Sequence, residues 1–197
     1  GAIFNPNKKT AASAPIVAVS PAAATKKYTQ TITNNQPIIL TGFQVLEIKN
    51  THYIQTGSIT LKDSARLVIT DSLFEQRNPA AGATARLDAS NYGQVVIKNS
   101  YASFSPWVVW HFTDNAELSI NNMNVTTDAG DANVYYEIAK SAKANVAKTI
   151  FIGSLTDRAD VTIDRSAHVS LTIDLAGGAI VNEAFPKKIS AYSFPGY

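Results

Sequence analysis

The sequence predicts an all-β fold: a single-stranded parallel β-helix (solenoid) of about six to seven coils with a ~25-residue repeat, preceded by an extended N-terminal arm. Three observations lead there. Segments 58–74, 84–101, 109–124, 135–151 and 160–176 share one plan, in which an alternating strand, a polar turn and a second alternating strand follow one another. The first strands end at Leu61, Leu87, Phe112, Ile138 and Ile163, anchors lying 26, 25, 26 and 25 residues apart. The turn often carries an Asp/Lys–Ser/Asn–Ala pattern, as in Asp63-Ser64-Ala65 and Asp114-Asn115-Ala116. Constant spacing of this kind points to stacked coils. A β-sandwich would also show short strands between turns, but it does not require a constant period.

Taken in order, residues 1–36 form the arm and residues 37–197 the β-helix domain. The arm is rich in Ala, Pro, Lys, Thr and Asn. Two apolar stretches within it, Ile3-Phe4 and Ile16-Val17-Ala18-Val19, are the expected docking residues, the second bracketed by Pro15 and Pro21. An open β-helix has strand edges at its ends that invite further pairing. An apolar arm covers such an edge in cis, or inserts into the next subunit by strand addition. Insertion in trans is a heterologous contact and builds an open head-to-tail assembly. A coil is expected at 37–54, where Val45, Leu46 and Ile48 precede Asn50.

In the repeats, alternation decides which side chains face inward. Ile59 and Leu61, Ala85 and Leu87, Trp110 and Phe112, Tyr136 and Ile138, and Val161 and Ile163 make the first inward columns. The second strands contribute Leu67 and Ile69, Val95 and Ile97, Leu118 and Ile120, and Val169 and Leu171. A third apolar group follows: Leu73 and Phe74, Tyr101 and Phe104, Met123 and Val125, Ile150 and Ile152, Ile180 and Val181. Three short strands per coil at a spacing of roughly 4.8 Å give a stack of roughly 30–35 Å. Asn50, Asp71, Asn99 and Asn122 each follow a second-strand isoleucine by two residues, as a polar corner ladder would. The C-terminal segment 185–197, aromatic and proline-containing, is expected to cap the stack.

Composition narrows the function classes. Hydrophobic residues make up 45% of the 197, enough for a core, while only 16% are charged, a balance that fits a secreted or surface β-protein. The chain starts at Gly1, as expected for an exported protein whose leader has been removed, or for a fragment with a leftover glycine. There is no cysteine, so disulfides play no part. No apolar run is long enough for a membrane span. The net charge of +2 divides unevenly: Lys8, Lys9, Lys26 and Lys27 make residues 1–36 basic, and the remainder is slightly acidic. That density of basic residues is too low for nucleic-acid binding.

Coil length, strand–turn rhythm and the Asn/Asp corner column over about residues 37–185 resemble the right-handed parallel β-helix superfamily, whose best-known members are pectate-lyase-like. The resemblance is one of fold and carries no activity by itself. It implies calcium held by acidic residues on adjacent coils, and an arginine base. The nearest acidic column is Asp63, Asp88 and Asp114, interrupted at Lys140 and offset at Asp164; turn aspartates equally cap backbone amides. Arg77-Asn78-Pro79 starts like the arginine motif, but Gly82 stands where its second arginine belongs. A polygalacturonase-like site needs paired aspartates and Gly-His-Gly. Asp128-Ala129-Gly130-Asp131 reads as a turn, and His52, His111 and His168 as surface residues without acidic partners.

No metal, cofactor or catalytic set is therefore expected. Gly177-Gly178 precedes no helix and is no phosphate cradle. An ice-binding face would need repeated outward threonines, whereas the first-strand outward column reads Thr60, Arg86, His111, Glu137, Thr162. Trp107 lies in a loop, where an exposed indole stacks on sugars or anchors a partner. The expected function is a non-enzymatic extracellular or cell-surface structural subunit, partnered with copies of itself and self-assembling into a fibre, sheath or surface layer through its arm. The alternative is a carbohydrate-binding or carbohydrate-active β-helix with a polysaccharide partner.

Overall fold

The computed structural model describes residues 26–80, 83–105, 107–126, 134–164, 169–175, 177–183 and 192–193. Among them every element is a strand. In chain order these are β1 (Gln30–Asn34), β2 (Ile38–Leu40), β3 (Val45–Lys49), β4 (Thr51–Thr56), β5 (Ile59–Leu61) and β6 (Arg66–Thr70). Then come β7 (Leu73–Arg77), β8 (Ala85–Ala89), β9 (Gln94–Ser105), β10 (Val108–Phe112), β11 (Glu117–Thr126) and β12 (Val134–Ile138). The last are β13 (Lys143–Ala147), β14 (Thr149–Leu155), β15 (Asp160–Ile163), β16 (Val169–Leu175), β17 (Ile180–Glu183) and β18 (Tyr192–Ser193).

Among the described residues all pairings are parallel, and they form one ten-stranded and one eight-stranded sheet. The chain crosses between the sheets repeatedly, so the strands next to each other in a sheet are non-consecutive in sequence, as in β2-β5-β8-β10-β12. This all-β, parallel arrangement is consistent with a parallel β-solenoid. The sheet begins earlier than expected: β1 lies within the segment assigned to the arm, with Ile32 set beside Tyr53.

Two columns of left-handed residues bend the chain. Asn50, Asp71, Asn99, Asn122 and Lys148 have φ between 48° and 71°; the first four turn the larger sheet through a corner, and Lys148 leads from β13 of that sheet into β14 of the smaller one. Short polar side chains tolerate this region better than branched ones, which is why Asn and Asp fill four of the five places. Asn122 Nδ2 donates to Asn99 Oδ1 at 3.1 Å, part of the expected corner ladder. Just past the corner, hydroxyls replace main-chain partners: Thr51 N–H donates to Ser72 Oγ at 3.1 Å and Ser72 N–H to Ser100 Oγ at 3.2 Å. The second column holds Gly42, Asp63, Asn91, Asp114, Lys140, Asp157 and Gly177, all with positive φ, at the turns from the smaller sheet to the larger.

The spacing between coils is not constant. Arg66 pairs with Gln94, Gln94 with Glu117, Glu117 with Lys143 and Lys143 with Asp160, steps of 28, 23, 26 and 17 residues. Leu61 accordingly pairs with Ala89, and Leu87 with Ile59. Ile163 is not a first-strand anchor. It pairs with Val146 in the larger sheet, while Val169 and Leu171 belong to the smaller one. The reason is local: after Lys148 the chain runs directly into β14, whose C-terminal half already pairs with β12. One strand does the work of two, and the repeat loses phase. Gly153 makes this crossing possible, because a Cβ there would meet the Tyr136 carbonyl oxygen at 2.0 Å.

The core is a continuous column of inward side chains. Tyr53 stacks on Phe74, Phe74 and Phe104 meet Trp110 edge-on, and Trp110 meets Tyr136, which stacks on Phe151 with ring centres 4.7 Å apart. Offset and edge-to-face contacts are the favoured ring geometries. Trp110 is inward, as alternation predicts, and its Nε1 donates to Gln76 Oε1 at 2.8 Å. Burial pushes the Tyr136 hydroxyl well above the ordinary phenol range.

Candidate functional site

The strands β4, β7 and the second half of β9 have two unlike faces. Tyr53, Phe74, Ala102 and Phe104 point into the core. The residues between them must point outward, and the register aligns Thr33, Ile54, Glu75, Ser103 and Thr126 as one outward column. An outward column on a solenoid meets water by default. Each of these five side chains is nonetheless at most 6% exposed. Ile54 and the neighbouring Leu73 are buried without belonging to the core cluster.

A charged cluster sits in this column. Glu75 accepts from Arg77 Nη2 at 2.8 Å through Oε1, and its Oε2 lies 2.5 Å from His52 Nε2. Glu75 and Arg77 are two residues apart on one strand and so share its outer face; on β4 Ile54 pairs with Glu75, and His52, two residues earlier and opposite Leu73, reaches the carboxylate diagonally. A buried carboxylate left alone is very costly, and two donors on its two oxygens offset that cost. The Tyr28 ring stands 6.3 Å from that of His52, and burial raises the Tyr28 hydroxyl above its ordinary pKa. Expecting His52 to be a surface histidine without an acidic partner was therefore wrong. Its partner arrives from the next coil, 23 residues on, and only the register reveals it. Glu75 itself gave no sequence signal beyond an acid directly after the apolar pair Leu73-Phe74.

The expected acidic column changes composition. Asp63 and Asp114 lie in the left-handed turn column, but the residue between them is Asn91. Asp88 is in β8, opposite His111. The turn aspartates bind backbone: Asp63 Oδ2 accepts from Gly42 N–H at 2.8 Å, Asp114 from Asn91 N–H at 3.0 Å, and Asp157 from Lys140 N–H at 3.2 Å. The amide of Asn91, and then Lys140 Nζ at 3.1 Å, hold the Asp114 carboxyl below its ordinary pKa. Among the described residues no group of three His, Asp or Glu side chains is placed to hold a metal.

On the outer face of the smaller sheet the column reads Thr60, Asp88, His111, Glu137, Ser154, so Arg86 and Thr162 leave the expected series. Arg86 chelates Asp88 through Nε and Nη2 and lies 3.7 Å from Glu137, and Asp88 above all raises its pKa. These pairs are well exposed; Arg86 and Asp88 share β8, and the approach to Glu137 spans from β8 to β12, across β10.

Trp107 is half exposed, at 50%, and opens towards solvent as its loop position predicts. Arg77 is committed to Glu75. Gly177-Gly178 forms one of the left-handed turns. Ile3, Phe4, Ile16, Val17, Val19, Gly82, Asp128 to Asp131, His168 and most of 185–197 lie outside the described residues. No helix among the described residues is long and apolar enough to cross a membrane. No family model matches this chain, nor does any curated protein or solved structure.

Proposed function

We propose that this chain is a non-enzymatic extracellular structural subunit, a β-helix of about six to seven coils that self-assembles into a fibre, sheath or surface layer. Its N-terminal arm, through Ile3, Phe4, Ile16, Val17 and Val19, docks on a neighbouring subunit by strand addition. The supporting observation is the state of the first coil. Among the described residues β1, β2 and β3 each have a partner on one side only. Ile39, Phe43 and Val45 are exposed on that same coil, Phe43 at 88%. An unpaired strand edge beside apolar surface is a template for another chain. Negative-stain electron microscopy of the full chain beside one lacking residues 1–19 tests this. Filaments or sheets from the full chain alone support the reading, and dispersed particles from both overturn it.

A second reading, a carbohydrate-binding or carbohydrate-active surface protein, draws on the exposed indole of Trp107. Under it, Trp107→Ala weakens glycan binding by about 1–3 kcal/mol. Blank glycan arrays together with a blank lyase assay in calcium remove it.

A further inference from the structure

We infer that Phe43 and Tyr92, on the turn edge between the two sheets, form a stacking platform for an extended, neutral β-1,4-linked polysaccharide running along the stack of coils. The platform follows from the second left-handed column. The residue after each left-handed position takes the same place on successive coils, because the main chain bonds from one turn to the next. Ser64 N–H donates to the Gly42 carbonyl oxygen at 2.9 Å, Tyr92 N–H to that of Asp63 at 2.8 Å and Asn115 N–H to that of Asn91 at 2.9 Å. Phe43, Ser64, Tyr92 and Asn115 therefore lie one above another along this edge. Phe43 and Tyr92 are the two most exposed large apolar side chains among the described residues, at 88% and 63%. The turn does not call for a ring, since Ser141 and Arg158 hold the same place in later coils.

Spacing and chemistry select the ligand. Phe43 and Tyr92 stand two coil steps apart, about 10 Å. In a chain of equatorially β-1,4-linked pyranoses each sugar advances by roughly 5 Å, about one strand step. Every second sugar thus meets a ring, and the sugar between them lies over Ser64. The C–H face of a pyranose is apolar and stacks on an aromatic ring. Ser64, half-buried, and Asn115, exposed, offer a hydroxyl and an amide to the sugar hydroxyls. A protein partner needs a contiguous apolar centre with polar residues at its rim, whereas here a polar residue separates the rings. Lys62 beside Asp63 and Lys140 against Asp114 balance the nearest carboxylates, so the edge carries little net charge to favour an ionic polymer. The inference goes beyond the assembly reading and places glycan binding away from Trp107. Phe43 also lies on the first coil, whose strand edges support assembly, so Tyr92, two coils on, separates the two.

The probe is cellohexaose, with maltohexaose as control: the composition is the same, but the α-1,4 linkage coils the chain away from a straight repeat. Titration calorimetry of the full chain should show cellohexaose binding, with maltohexaose at least ~10-fold weaker. Tyr92→Ala and Phe43→Ala should each weaken cellohexaose binding at least ~10-fold, and Tyr92→Phe should retain it. Tyr92→Gln, which keeps the reach of the side chain without a ring, should lose binding as Tyr92→Ala does. Both rings lie outside the core, and an unchanged circular dichroism spectrum confirms that each variant folds. Failure to bind cellohexaose, equal binding of the two hexaoses, or full binding by Tyr92→Ala overturns the inference. Binding lost in Trp107→Ala but kept in Tyr92→Ala also overturns it and favours the second reading. Filaments from a full chain that ignores cellohexaose sink the platform alone. Cellohexaose binding by dispersed particles, lost in Tyr92→Ala, keeps the platform and sinks the assembly reading alone.

Discussion

On the inner side of β4, β7 and β9, Tyr53, Phe74 and Phe104 join a ring column that continues through Trp110, Tyr136 and Phe151. On the outer side of the same strands, Ile54, Leu73 and Ser103 surround a carboxylate held by a histidine and an arginine. Both sides are dry. The inner side owes this to apolar area and ring geometry, which any coil of the right alternation supplies. The outer side needs a charge balance around Glu75, supplied by Arg77 on the same strand and by His52 from the neighbouring strand. A strand bank buried on both faces is thus two kinds of environment, and its stability should respond differently to substitution on each.

The largest expected effect is on the inner side. Trp110→Ala removes the ring at the centre of the column and leaves Gln76 Oε1 without its partner. A loss of about 3–5 kcal/mol in urea denaturation is expected. Next comes Glu75→Gln, which strips the charge opposite Arg77 and His52 and should cost about 3 kcal/mol in the full chain. A cost of ~1 kcal/mol or less, the range of a surface pair, would erase the distinction between the faces.

A smaller change, in the opposite direction, is expected at the corner. Lys148 adopts φ 52° where the other coils use Asn or Asp, so Lys148→Asn should stabilise by about 0.5–1 kcal/mol. The smallest effect is at the turn column. Because the Asp114 carboxyl is held below its ordinary pKa in the folded chain, its contribution is complete above the ordinary carboxylate range. That contribution is lost as pH falls through the depressed value. Denaturation midpoints from about pH 5 to pH 2 should show a shallow decline that Asp114→Asn flattens.

Inward residues were legible in the sequence because a strand's side chains alternate with period two, and apolar residues at Leu67, Ile69, Trp110 and Phe112 obey that period. The polar corner at Asn50, Asp71, Asn99 and Asn122 was legible as well, since only a few residue types accept the left-handed bend. Register was not. The repeat looked constant at Leu61, Leu87, Phe112, Ile138 and Ile163. In three dimensions the step varies with loop length, and it shortens sharply where β14 passes beneath Tyr136 at Gly153. Whatever depends on register was therefore decided by tertiary structure alone: which residue stands between Asp63 and Asp114, which acid meets His52, and which outward side chains are dry. Alternation is a local steric property of the backbone and survives in the sequence, whereas pairing between coils depends on the sum of every intervening turn.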